Sequence, residues 1–411
     1  MGEGRPGLSR RRLFGMAGAA GAAGLTAGGL TGSAWGRAGD GEEPLSAVGA
    51  TAVPFHGRHQ AGITTPVQAC GRLAAFDLRP EADRRAAAGL LRRWSAAAEA
   101  MASGRPPTGD GQVALDAGPS SLTVTFGFGR TFFAKTGLGD RMPPALVEMP
   151  PFPADDLDPS RSDGDLWVQI GADDPLVTAH ALRVLVKAAS GTAAVRWQMG
   201  GFNRARGAAD RPRTVRNLMG QIDGSGNPRP SEDGFDAKVF VKAGTGPHAW
   251  MNGGSYAVVR RIRMLLDDWD RLPRHQQERV IGRRKDTGAP LSGGTEATRP
   301  DLSAVGPDGA ALAIAGDAHV RVSAPESNGG ATMLRRSFSY DDGLRPDGAP
   351  DAGLLFVAWQ ADPTTGFIQV QRKLDGADGL TRFIRHESSA VFAVPGGGAP
   401  GGSIARDLLV D

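Results

Sequence analysis

The sequence predicts a mixed α+β chain made of two split βαβ units, and three observations carry that expectation. Short apolar stretches of period two alternate with longer stretches of period 3.6. The alternation occurs twice, on either side of a Gly/Arg-rich stretch at 201–216. The chain has 411 residues, 40% of them hydrophobic and 22% charged, which is enough to bury large cores in two or three domains.

The elements follow in order. Leu90, Leu91, Trp94, Ala98 and Met101 form the stripe of a helix that stops at Gly104-Arg105-Pro106-Pro107. Leu122, Val124, Phe126 and Phe128 alternate with Thr123, Thr125 and Gly127, as a strand with one buried face does. Leu166, Val168 and Ile170 repeat that pattern. Asp174-Pro175 supplies an N-cap and a proline at the first helical position, ahead of a stripe of Val177, Ala181, Val184, Leu185 and Ala188. Ala193 to Met199 suits a returning strand. In the second half, Val258, Ile262, Leu265, Leu266 and Trp269 predict a helix over Tyr256 to Trp269. Gly353 to Gln360 and Phe367 to Gln371 read as strands about a short turn, and Val391 to Pro395 as a last strand. Proline-rich loops fall at 138–165 and 285–300. The expected organisation is a leader at 1–38, an N-terminal domain at 46–213 and a C-terminal domain at 214–411.

The net charge of +3 misleads about partners. Arg5, Arg10, Arg11, Arg12 and Arg37 stand against Glu3 alone in the first 38 residues, so the remainder is close to neutral. Basicity therefore gives no argument for nucleic acid binding. Ser9-Arg10-Arg11-Arg12-Leu13-Phe14, a Gly/Ala-rich stretch to Leu30, and small-residue sites at Gly32-Ser33-Ala34 and Gly36-Arg37-Ala38 form a three-part leader. Adjacent arginines followed by Leu-Phe resemble a twin-arginine signal. The expectation is export through that machinery to the cell envelope, periplasm or extracellular space. That route carries folded proteins, often with a cofactor already inserted. The single cysteine, Cys70, excludes an intramolecular disulfide and all-thiolate metal sites.

Several chemistries are missing. No GxSxG elbow, HExxH, P-loop or EF-hand loop occurs. The pairs Gly127/Gly129 and Gly224/Gly226 lack the third glycine of a dinucleotide fingerprint, and seven histidines are scattered singly. Local motifs alone stop at an exported α+β protein.

Longer blocks go further. Arg216-Asn217-Leu218-Met219-Gly220-Gln221-Ile222-Asp223-Gly224-Ser225-Gly226-Asn227-Pro228 contains a Gly-x-x-Asp-Gly core. Other blocks are Phe55 to Ile63, Gly253-Gly254-Ser255-Tyr256 running into Arg260 to Met264, and Gln277 to Arg283 with Gly288-Ala289-Pro290-Leu291. Asp317-Ala318-His319-Val320-Arg321, Met333-Leu334-Arg335-Arg336 and Gly353 to Val357 complete the series. In this order, over about residues 50–396, the chain resembles the dye-decolorizing peroxidases. It is most similar to the exported branch that includes iron-uptake-associated deferrochelatase/peroxidases.

The resemblance implies two ferredoxin-like domains, with haem b (iron protoporphyrin IX) in the C-terminal one. His319 matches the proximal iron ligand. A solitary histidine is ordinarily structural, and the Asp-Ala-His-x-Arg setting is what changes that reading. Asp223, beside Gly224 of the haem-side loop, matches the distal acid–base group. Read locally, Asp-Gly ahead of Asn-Pro is a common turn. Arg335 matches the distal arginine that faces haem and stabilises charge during O–O cleavage, with Arg336 its nearest competitor. Many relatives carry a carboxylate near Arg382 to orient the proximal imidazole. Here either Asp378 or Glu387 substitutes, or His319 is less imidazolate-like.

The implied activity is a hydrogen-peroxide-dependent haem peroxidase acting on dyes, phenolics or similar small aromatic donors. The alternatives are an iron-acquisition protein that releases iron from haem or oxidises ferrous iron, and a non-catalytic haem carrier. A transporter complex and a homo-oligomer stand as partner possibilities. Trp269 and Trp359 sit on apolar stripes and read as core.

Overall fold

The computed structural model describes residues 47–205, 208, 214–306, 309 and 311–409. The leader at 1–38 and part of the boundary stretch at 201–216 lie outside the described residues. The N-terminal half runs β1 (Cys70–Leu78), α1 (Arg84–Ala102), β2 (Thr123–Phe128), β3 (Leu166–Ala172), α2 (Pro175–Ala189) and β4 (Ala193–Phe202). This is the β-α-β-β-α-β order of a split βαβ unit. Asp83 caps α1 by accepting from the Ala86 amide at 2.8 Å, and Asp174 caps α2 by accepting from Leu176 at 2.7 Å. Leu90, Leu91, Trp94, Ala98 and Met101 are buried as their spacing requires. The Trp94 indole lies 5.5 Å from the Phe126 ring in a stacked arrangement, and its N–H donates to the Leu185 carbonyl, so α1, α2 and β2 share one core.

The C-terminal half supplies β5 (Ser255–Met264), α3 (Arg274–Ile281), α4 (His319–Val322), β6 (Leu334–Arg335), β7 (Phe338–Leu344), β8 (Pro350–Gln360), α5 (Gln369–Ala377) and β9 (Ile384–Val394). Two expectations fail here. Tyr256 to Met264 is a strand, not the start of a helix; a short helical turn, Leu266–Asp270, follows it. Every β5 residue except Arg263 is buried. A strand covered on both faces loses its alternation, and the stripe Val258, Ile262, Leu265 then imitates a helix. Phe367 to Gln371 is helical rather than extended. A π-turn over Thr364–Ile368 leads from Pro363 into α5. Short apolar runs are ambiguous between the two states, and packing decides.

The sheets also differ from expectation. Among the described residues the nine strands form one antiparallel sheet in the order β5-β9-β2-β3-β1-β4-β7-β8-β6, and β5–β8 pairing closes it into a barrel. The two halves meet through single pairs, Phe128 with Ala393 and Phe202 with Ser339. Each half's edge strands are thereby paired, which removes the exposed edges of an open sheet. Trp167, Trp359 and Phe392 pack inside, and Trp269 and Trp359 are core as expected.

Candidate active site

The wall of the site is the outer face of β5 and β8. Ile262 and Met264 on β5 and Leu354 and Phe356 on β8 line a cavity of about 600 Å³. All its lining residues come from 217–386, within the C-terminal half. Asp223, Gly224, His319 and Arg335 all face it, so the structure brings every expected site residue to one place.

His319 opens the turn α4. The preceding loop is held by an Arg279–Asp317 ion pair at 3.0 Å and by Arg321, whose guanidinium donates to the carbonyls of Leu302, Ile314 and Ala315. The His319 Nδ1 lies 2.6 Å from Asp378 Oδ2. The Asp378 side chain is 2% exposed, and its other oxygen accepts from the Leu380 amide at 2.9 Å, which locks the carboxylate. Burial pushes the imidazole pKa down, but the Asp378 charge and hydrogen bond outweigh it, and the net direction is upward. Arg335 opposes that rise and Asp223 adds to it, so both lie within electrostatic reach of the ring. With Nδ1–H given to Asp378, the imidazole lone pair is on Nε2.

The partner of His319 is therefore Asp378. Glu387 is occupied by Arg261, Arg263 and Arg345. Arg382 bonds the Gly379 carbonyl at 3.4 Å and lies against the Phe383 ring.

Asp223 sits on a tight loop. Arg216 bridges Ile222, and Asn217 Oδ1 accepts from the amides of Met219 and Gln221. Gly224 turns the chain with φ +112°, a conformation that disfavours any side chain. Asn227 then does what a neighbouring strand would do. Its Nδ2 donates to the Arg335 carbonyl at 2.7 Å and its Oδ1 accepts from the Arg335 amide at 3.1 Å. The loop carrying Asp223 is thus pinned to the strand carrying Arg335. Pairwise matching of motifs does not reveal this link, because an Asn-Pro turn needs no such partner. Arg336 faces the other way: it is fully buried and bonded to the backbone of Thr65 and Pro66. That separates it from the cavity and, of the two neighbours, leaves Arg335 as the one that faces the site.

Comparisons with known proteins agree with this geometry. The Dyp-type peroxidase N-terminal family matches residues 60–203, and the Dyp-type peroxidase C-terminal family matches residues 214–399. A dye-decolorizing peroxidase of Thermobifida fusca is 46% identical over 370 residues, covering 88% of this chain and 84% of that one. An Escherichia coli K12 deferrochelatase is 37% identical over 358 residues, covering 84% of each. Among solved structures, a DyP-type peroxidase from Streptomyces coelicolor superposes with a TM-score of 0.87 at 56% identity, over 90% of this chain and all of that one. Ferric DtpA from Streptomyces lividans does so with a TM-score of 0.87 at 57% identity, over the same shares.

Proposed function

From the premise that the chain belongs to the Dyp-type peroxidase family, we propose that its cavity holds haem b, with His319 as the ligand to iron and Asp223 and Arg335 acting on hydrogen peroxide. The residues present fit that group. The volume lies in the ~300–1,000 Å³ range of small-molecule and cofactor sites. The wall is largely apolar, and His319 presents to it an imidazole anchored by a carboxylate. Among the described residues no group of three or more His, Cys, Asp or Glu forms a protein-built metal site.

Bound there and held by His319, haem would supply a redox-active iron and the electrons that cleave the O–O bond. The chain's own residues do the rest. Asp378 fixes the His319 ring and strengthens it as a donor. The Asp223 carboxylate takes a proton from one peroxide oxygen and returns it to the departing one. The Arg335 guanidinium stabilises the negative charge that grows on that oxygen, in surroundings where such charge is poorly screened. Convergence of Asp223, Arg335 and the Asp378-anchored His319 on one cavity carries the reading. A carrier needs only the ligand, so the acid–base pair favours turnover.

An absorption experiment tests it. The reconstituted protein shows a Soret band that shifts on adding one equivalent of peroxide. Asp223→Asn and Arg335→Leu keep the band and lose the rapid shift, while His319→Ala loses normal ligation. A Soret band indifferent to peroxide in the unmodified protein defeats the peroxidase assignment of these residues, and iron release from haem then becomes the activity to assay. For the leader, the reading is export by the twin-arginine route. Replacing Arg10, Arg11 and Arg12 by lysine leaves full-length protein in the cytoplasm, and retained export refutes that reading.

A further inference from the structure

Behind the cavity wall lies a second polar group that the chemistry above does not use. Arg260, on β5, is wholly buried. One of its nitrogens, Nη2, pairs with Asp155, while Nε and Nη1 are buried without a partner. The guanidinium carbon lies 5.4 Å from the Phe152 ring centre and 5.6 Å from that of Phe367. Asp375, on α5, accepts from Gln371 Nε2 at 3.1 Å through Oδ1, and its buried Oδ2 has no partner. The same Gln371 nitrogen is 3.4 Å from His386 Nε2, and His386 Nδ1 is a further buried atom without a partner. Asp155, the ion-pair partner of Arg260, pairs through its backbone with His386, so these side chains share one neighbourhood.

Four orphaned polar atoms in one neighbourhood require an explanation. Buried donors and acceptors are almost always satisfied, and leaving one unmade costs about 1–3 kcal/mol. Ordered water is the usual partner where direct bonds are missing. The cluster also has two ends. Gln371 and His386 line the 600 Å³ cavity. Asp375 is only half-buried and is followed by exposed Gly376 and Ala377.

We propose that this cluster is a water-lined proton entry from the surface at Asp375, past Arg260 and Gln371, into the cavity. It rests on the peroxidase reading, because peroxide reduction consumes protons there. The balance is H2O2 + 2 H⁺ + 2 e⁻ → 2 H2O: the O–O bond breaks, two O–H bonds form, and an organic donor supplies the electrons. Asp223 only moves a proton that peroxide already carries. A donor too large for the cavity gives up its electrons from outside, and the two protons then travel by another route. Burial raises the Asp375 carboxyl above its ordinary pKa despite the lowering effect of Gln371, Arg260 and the Ala154 backbone, with Asp155 adding to the rise. A carboxyl so placed holds a proton at higher pH than an exposed one does.

The test uses haem-loaded protein. A high-resolution crystal structure shows ordered waters on Arg260 Nε and Nη1 and on Asp375 Oδ2. Asp375→Asn and, independently, Gln371→Leu keep the haem spectrum but slow steady turnover of a bulky dye by ~10-fold or more. Turnover of both variants acquires a solvent deuterium isotope effect, and Asp375→Glu restores the rate. A dry cluster, or unchanged turnover and isotope effect in the two variants, overturns the proposal. If one variant fails to fold, the other and the crystal structure still decide. Absence of any peroxide reaction in the unmodified protein is a different outcome: it defeats the underlying peroxidase reading and the proton entry with it.

Discussion

Replacing Asp378 by Asn separates the charge of the histidine's partner from its shape. Asn matches the shape but has a single carbonyl oxygen; turned to the imidazole N–H, it leaves the Leu380 amide without its side-chain acceptor. What disappears is a carboxylate 2.6 Å from His319 Nδ1 that is 2% exposed and almost unscreened by solvent. A charge-assisted hydrogen bond contributes about 1.5–3 kcal/mol, against about 0.5–1.5 for a neutral one. The loss is therefore on the order of 1–2 kcal/mol at the imidazole. Outer partners of metal-bound histidines typically matter by ~10–100-fold in affinity or activity, which agrees with that energy. The expected result is a haem protein with a raised iron reduction potential and a peroxide reaction slowed ~10–100-fold. Spectroelectrochemistry and stopped-flow absorption read the two quantities. An unchanged potential together with an unchanged rate refutes the assignment of Asp378 as the electronic partner of His319.

Three further outcomes follow from single contacts. Asn227→Ala removes both bonds to the Arg335 backbone, so kcat for peroxide turnover falls while haem affinity holds; equal losses in both show a merely structural role. Burial, aided by Arg260, pushes the His386 pKa down to about 3 from 6.5. The unfolded chain then binds more protons between those values, so this group makes stability rise with pH from about 3 to 6.5 and contribute nothing further above. The limit is on the order of 5 kcal/mol, and urea unfolding of His386→Gln across that window has a flatter pH profile. Trp94→Phe leaves the Leu185 carbonyl without its indole donor and costs about 1–3 kcal/mol, seen as a lower Tm with the haem spectrum unchanged.

Much of the N-terminal half was legible because its elements obey local rules. Asp174-Pro175 is a helix start in any context, and the alternation through Phe128 marks a strand, although the expected single buried face is wrong because both its faces are covered. The chemistry of the site was legible only where residues travel in blocks. Asp223 and His319 gain meaning from their neighbours in sequence, as no spacing rule relates them. β1, from Cys70 to Leu78, escaped notice because its Ala-rich centre is buried on both faces and shows no alternation.

By itself, the sequence determined the mixed architecture, the Asp174 cap, the core tryptophans and the identity of the four residues that meet at the cavity. Tertiary structure decided what periodicity cannot encode. It made β5 a strand, because hydrogen bonding to β8 and β9 on both sides offers Arg260 and Arg261 buried partners that a surface helix lacks. It joined two expected sheets into one barrel, because unpaired edges pair when they are brought together. It chose Asp378 over Glu387 for His319, because three arginines already hold Glu387. Those choices depend on distances between residues far apart in the chain. Such distances exist only after the backbone has closed on itself.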